Sequence, residues 1–404
     1  MKKEGGMPGE TRRPGRRIGP GLSLLGGLLL LLPALPALAT GDSLSQQELA
    51  VAARINRALP AVVGILTDVR ADVQLRCGTG AVHTVHPDPE RESGTGFLIH
   101  PDGWIATNGH VVLPIQKPDA EYAAEFLKQA ATTACGPRLQ KLPAPQRAAR
   151  LQAILADPAN RRGVTVTKRL EVYLPTGEAT EYYPGVIKAF SPPIDPDQLP
   201  KGRHRPDPPM LDAALVKIEG ENLPTVPLVA SSWTSTALGQ QLFITGYPGV
   251  VLWHPFLSRE SRVDPTVTFG RVSAFRLDVN ERRILQTDAA ISWGNSGGPA
   301  FNLRGEVLGL ATFISTTLEG DESIQGFNFL IPIDTIHTFA KQVGITPSTD
   351  SPFNRAWEQA LAAALAGHYE EALTHAQAAD QIVPGLSDVR RVSAWLRERI
   401  GARP

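Results

Sequence analysis

The stretch Gly294-Asn295-Ser296-Gly297-Gly298-Pro299 constrains this chain more than any other. It sets one hydroxyl among glycines. A serine acts as a nucleophile when its Oγ is exposed, backbone N–H groups face a developing oxyanion, and a substrate carbonyl has room. Glycines before and after it supply the backbone freedom and the room. Gly/Ser clusters are also ordinary turn signals. Taken alone, the stretch leaves both readings open, and the upstream sequence has to decide.

Two upstream stretches supply partners. In Gly94–Val112, the apolar runs Phe97–Ile99 and Trp104–Ala106 flank Pro101-Asp102-Gly103, which reads as a hairpin with His110 just past its second strand. In Leu211–Ile218, Asp212 heads an apolar strand. An acid there is costly if buried without a partner and useful if it orients an imidazole. Singly, His110 reads equally as a core histidine and Asp212 as a strand-end turn acid. Jointly, the order His–Asp–Ser is that of the chymotrypsin-like double β-barrel.

The motifs GTGFLIHPDGWIATNGHVV, LDAALVKI, TDAAISWGNSGGPAFN and GFNFLIPID resemble trypsin-like peptidases of the HtrA/Deg type, over roughly residues 55 to 345. The resemblance implies a mostly β fold, a chymotrypsin-like double β-barrel, and no cofactor or metal. It implies Ser296 as nucleophile, His110 as general base then acid, Asp212 as orienting carboxylate, and the N–H groups of Gly294 and Ser296 as oxyanion hole. The primary pocket is expected to have Ala290 at its base, six residues before the serine. Leu310–Phe313 and Gly326-Phe327 are expected as its walls. Alanine offers no carboxylate to a basic side chain, so a shallow apolar pocket is expected, favouring Val, Ala, Ile or Thr before the cut. Asn295 stands where proteases activated by N-terminal trimming keep an Asp, which argues against a trypsin-style zymogen. The competing class is a catalytically silent scaffold that binds through its barrels and C-terminal helices; the presence of all three side chains argues against it.

Residues 1–39 read as a signal peptide: a basic head, the apolar run Leu22–Leu32 and an A-x-A site at Ala37–Ala39. The apolar run is short for a membrane span, so cleavage and export to the periplasm, cell surface or medium are expected, with no stable span afterwards. Forty basic and forty acidic residues balance, so nothing points to nucleic acid; the expected partners are polypeptide substrates. The two cysteines, Cys77 and Cys135, suit neither a disulfide scaffold nor a metal knuckle. A bond between them would pin an insertion to the first barrel in an oxidising compartment.

The peptidase domain is expected over 40–345. A helix is expected over residues 43–58, then a strand, then a polar, turn-rich loop over 70–93 whose His83 and His86 read as solvated. Asp119–Ala134 and Pro145–Ala156 carry helical patterns, so 113–165 reads as a two-helix insertion. Strands are expected at Arg169–Leu174 and Tyr182–Ala189, followed by a proline-rich exposed loop over 191–209. After a linker at 346–350, residues Asn354–Ala366, Tyr369–Ile382 and Leu386–Ile400 read as helices. Gly367, Tyr369, Glu371, Ala372, Ala379 and Pro384 match the second half of a tetratricopeptide repeat. One repeat cannot stand alone, so 346–404 is expected to pack on the protease, on a partner, or on a second copy.

Overall fold

A computed structural model describes residues 45–78, 80–176, 181–193, 210–252, 254–258, 264–278, 281–312 and 326–401. The expected signal peptide, most of the 191–209 loop and Phe313 lie outside the described residues.

Helix α1 (Gln46–Ala58) starts at a capping box in which Ser45 and Glu48 bond each other's backbone. A short 3-10 turn (Leu59–Ala61) leads into β1 (Val62–Arg76). Next come β2 (Val82–Val85), β3 (Glu90–His100), β4 (Trp104–Thr107), α2 (Gly109–Gln116), α3 (Asp119–Leu139) and α4 (Ala144–Ala156). The first half closes with β5 (Arg161–Leu174), β6 (Glu181–Pro184), β7 (Val186–Ser191) and β8 (Ala213–Lys217). Its strands are antiparallel in the order β6-β5-β1-β3-β4-β8-β7, with β2 beside the far end of β1.

The second half contains α5 (Ser232–Ser235), β9 (Gln241–Gly246), α6 (Gly249–Leu252), β10 (Thr266–Leu277), β11 (Arg283–Thr287), β12 (Pro299–Asn302), β13 (Val307–Ala311), β14 (Asn328–Pro332) and α7 (Ile333–Gln342). Its six strands form a closed barrel, β10-β11-β14-β13-β12-β9. The fold is the expected chymotrypsin-like double barrel. Three helices follow: α8 (Pro352–Leu365), α9 (Tyr369–Ile382) and α10 (Ser387–Gly401).

The expectation of a loop over 70–93 is corrected. β1 runs on to Arg76 and pairs with β5 from Gly64↔Tyr173 to Leu75↔Arg161. Period-two alternation explains the extension. Val69, Ala71, Val73 and Leu75 are buried on one face, while Arg70, Asp72 and Gln74 look outward. Their apolar face meets Tyr122, Phe126, Ala130 and Cys135 of α3 in a satellite core separate from the main one. His83 lies on β2 opposite Leu75, and His86 Nδ1 sits 2.8 Å from Asp72 Oδ1. β5 likewise begins at Arg161, eight residues before the expected strand, so the two helices of the insertion are confined to 119–156. The Cys77–Cys135 disulfide is formed and closes the end of this satellite core.

The C-terminal helices share the main core with both barrels. Phe353 and Trp357 of α8 are fully buried, and Trp357 Nε1 donates to Asn56 O at 2.9 Å, at the end of α1. Asn354 bonds Thr225 through both ends of its amide: it accepts from Thr225 N at 3.1 Å and donates to Thr225 Oγ1 at 2.8 Å. The stretch expected as a linker is also engaged, with Ser348 N donating to Ile99 O at 2.9 Å. Truncating a buried aromatic of this kind costs about 3–5 kcal/mol.

Replacing both cysteines by serine opens a loop of 58 positions, which should lower stability by roughly 2–4 kcal/mol. Hydrogen exchange should rise across α3 and α4 while the second barrel keeps its protection. Unchanged exchange in α3 and α4 would refute the pinning role of this bond.

Candidate active site

The three residues singled out in the sequence come from three different local devices. His110 is the second residue of α2, whose N-cap Asn108 has extended backbone (φ −76°, ψ 154°). Asp212 lies between Leu211 and β8 with φ +46°, a left-handed conformation that Asp tolerates better than most side chains. The backbone is held there from both sides. Asp212 N donates to Pro192 O at 3.0 Å, and Asn108 Nδ2 donates to Asp212 O at 3.0 Å. The strain, on the order of 1 kcal/mol, is thus met by two bonds, one of them from the residue that starts α2.

The Asp212 side chain is buried, yet its carboxylate is saturated with donors. Oδ1 accepts from His110 N at 2.9 Å and lies 3.0 Å from His110 Nδ1; Oδ2 also lies 3.0 Å from Nδ1. Oδ2 further accepts from Thr312 Oγ1 at 2.6 Å. A carboxylate only accepts, so Nδ1 carries the proton and the neutral ring keeps its lone pair on Nε2. Thr312, itself buried, lies within Leu310–Phe313, the stretch expected from the sequence as a pocket wall, but its bond to Asp212 was not anticipated. Its only local signal for that role is a hydroxyl straight after Val307–Ala311.

Burial by itself pushes the His110 pKa down. The Asp212 charge, the Asp212 hydrogen bond and the nearby Glu92 charge outweigh it, and the net shift is upward. Glu92, on β3, was also missed in the sequence. Its own pKa is raised by burial first and by Glu90 second, against a lowering by His110.

Ser296 lies in the turn before β12, largely covered, with its carbonyl accepting from Thr95 N at 2.8 Å. Gly94 ties it to the start of α2: a Cβ there would come within 2.6 Å of Val111 and 3.2 Å of Ser296 O. Two glycines are obligatory. Gly294 has φ +94°, and a Cβ on it would lie 2.3 Å from Tyr247 O; Gly297 has φ +83°, and its Cβ would lie 2.2 Å from Thr95 O. Asn295 N donates to Ser292 O at 3.0 Å, which folds the turn. Among the described residues, the N–H groups of Gly294 and Ser296 have no backbone acceptor.

The expected pocket residues fall in different places. Ala290 is exposed, and its carbonyl accepts from Thr268 Oγ1 at 2.9 Å. Asp288 turns away, its carboxylate accepting from Arg271 N. Gly326 and Phe327 lead into β14, and Phe327 is 56% exposed. The expectation for Leu310 is corrected: it has no exposed surface, because every residue of β13 is buried and Leu310 faces the main core. Trp293, three residues before the serine, is 71% exposed and was not anticipated as part of the site.

His110 is expected to titrate above the ordinary imidazole value of 6.5. Glu92→Gln should move its midpoint down, because one of the charges favouring the imidazolium is lost. NMR of the imidazole Cε1–H signal across pH measures this. A parent midpoint below 6.5, or no change in Glu92→Gln, would contradict the electrostatic account.

Residues 94–310, more than half of the chain, match the family described as trypsin-like peptidase domain. A relative from Synechocystis that bears the name of a serine protease, HhoB, is 34% identical over 151 residues, covering 36% of this chain and 32% of that protein. One from Pseudomonas putida, bearing the name periplasmic serine endoprotease DegP-like, is 36% identical over 152 residues, covering 37% and 28%. A DegP-like relative from Halomonas elongata is 34% identical over 149 residues, covering 36% and 27%. The matched stretch spans between about a quarter and a third of the length of these curated relatives. The fold, the arrangement around Asp212 and the family match agree: the chain belongs to the trypsin-like peptidase family.

Proposed function

We propose that the protein is an exported serine endopeptidase of the HtrA/Deg type, acting on unfolded or damaged polypeptides. The observation that carries this reading is the buried Asp212 carboxylate bonded to His110 Nδ1, together with a serine turn in which the Gly294 and Ser296 N–H groups have no backbone acceptor among the described residues. In the reaction, Ser296 Oγ attacks the scissile carbonyl carbon while His110 Nε2 takes its proton. The carbonyl π electrons move to oxygen, and the N–H groups of Gly294 and Ser296 hold that oxyanion. The imidazolium is stabilised by Asp212, which stays ionised. His110 then gives the proton to the leaving amine as the C–N bond breaks. Water, deprotonated by His110, adds to the acyl carbon; the C–Oγ bond then breaks as His110 returns the proton to Ser296 Oγ, and the acid leaves.

The surroundings of Ala290 support a small apolar residue before the cut. Ala290 offers no charge, and the carboxylate of Asp288, two residues before it, accepts from Arg271 N. A buried cation without a partner there is strongly disfavoured. Export is supported by the Cys77–Cys135 bond, since such bonds persist outside the reducing cytosol, and by the periplasmic relatives. No helix of the described residues is long and apolar enough to cross a membrane.

Ser296→Ala should lower hydrolysis of reduced, unfolded casein by roughly a thousandfold or more, with the circular dichroism spectrum unchanged. Undiminished hydrolysis by the purified variant refutes the assignment. Mass spectrometry of the parent digest should place most cuts after Val, Ala, Ile or Thr. A majority after Arg, Lys, Phe or Tyr means the pocket has been read wrongly.

A further inference from the structure

The turn that bears Gly294 rests on a strip of backbone, Gly246 to Gly249. Gly249 N donates to Trp293 O at 2.6 Å. Gly294 is pressed against Tyr247 O, and Gly246 against Asn295, where a Cβ would meet Asn295 Oδ1 at 2.9 Å. Thr95 Oγ1 joins strip and turn: it accepts from Tyr247 N at 2.9 Å and donates to Gly294 O at 2.7 Å. The direction in which the Gly294 N–H points therefore depends on where this strip lies.

The strip is anchored by Tyr247, which is 1% exposed. Its hydroxyl donates to Val62 O at 3.0 Å, and its ring meets Tyr173 edge-on at 5.2 Å between centroids. Helix α10 meets three of the segments around that anchor. It packs on the 3-10 turn that precedes Val62. Ser387 N donates to Pro175 O at 2.7 Å, two residues beyond Tyr173. Ser387 Oγ donates to Asp264 Oδ1 at 2.8 Å, and Arg391 lies 3.4 Å from Asp264 Oδ2. Asp264 stands two residues before Thr266, which pairs with Gly246 at the head of the strip. Asp388, fully buried on the same helix turn, holds Arg391 in place.

We propose that α10 is a strut for the turn bearing Gly294 and Ser296, with Tyr247 and Asp264 as positioning residues that aim the Gly294 N–H. The proposal rests on the reading of that N–H as an oxyanion donor. It gives the C-terminal helices a role in the rate of the chemical step, through contacts that no substrate touches.

The test is Asp264→Ala, with Asp264→Asn as the conservative control that still accepts from Ser387 Oγ. Two readouts are used: hydrogen exchange of peptides spanning 291–298, and kcat and KM on a chromogenic peptide. In Asp264→Ala, exchange over 291–298 should rise, and kcat should fall by about tenfold to a hundredfold, while KM stays near the parent value. Asp264→Asn should recover most of both. Parent-like exchange and kcat in a folded Asp264→Ala protein overturn the strut. A rise in KM alone also overturns it, because the helix would then shape substrate binding. If Asp264→Ala does not fold, Ser387→Ala carries the same readouts and decides. If the parent protein hydrolyses nothing, it is the catalytic reading that fails; the exchange of 291–298 still decides whether α10 holds the turn.

Discussion

A buried carboxylate organises this molecule. An ionised group as deeply covered as Asp212 costs several kcal/mol unless donors replace the lost water. The donors come from separate parts of the chain: His110 from the start of α2 and Thr312 from the end of β13. Asn108 adds a bond to the Asp212 carbonyl. The first barrel thus supplies the acid and the imidazole, and the second supplies the hydroxyl that completes the acid's shell. Removing any one donor leaves part of a charge unmet, so the relative placement of the barrels and the orientation of the imidazole are set together.

The same coupling recurs on the serine side. Gly294 and Gly297 are each wedged against backbone from another segment, Tyr247 and Thr95. Such contacts leave no room for a side chain, and they make the turn take its shape from its neighbours. The C-terminal helices are bonded to the same body of the fold. Asn354 and Trp357 lock α8 to Thr225 and Asn56, and Ser387 and Arg391 bind α10 to Asp264. The C-terminal helices therefore belong to the same core as the barrels rather than hanging from them.

Much of this was legible in the sequence because the chemistry needs short local signatures. A glycine-flanked serine, a histidine after a hairpin and an acid at a strand head are each visible within a few residues. The β1 extension was misread because its polar residues look like loop, although Val69, Ala71, Val73 and Leu75 alternate with them as a one-sided strand requires. The alternation makes sense only once α3 is known to cover that face. Thr312, Glu92 and Tyr247 were not legible for a related reason. Each matters through a residue on another segment of the chain, such as Asp212, His110 or Val62, and no local pattern marks such a partner. Leu310 was misplaced because resemblance gives a segment, while the register of β13 against β12 and β14 decides that it faces the core.

The central claim is that Asp212 and His110 make Ser296 a nucleophile. It is tested most directly by labelling the folded protein with a fluorophosphonate and mapping the adduct by mass spectrometry. One phosphonyl group per chain is expected on Ser296, with labelling lost in His110→Ala and slowed in Asp212→Asn. Absence of an adduct on Ser296, or labelling that is indifferent to His110, would contradict the account.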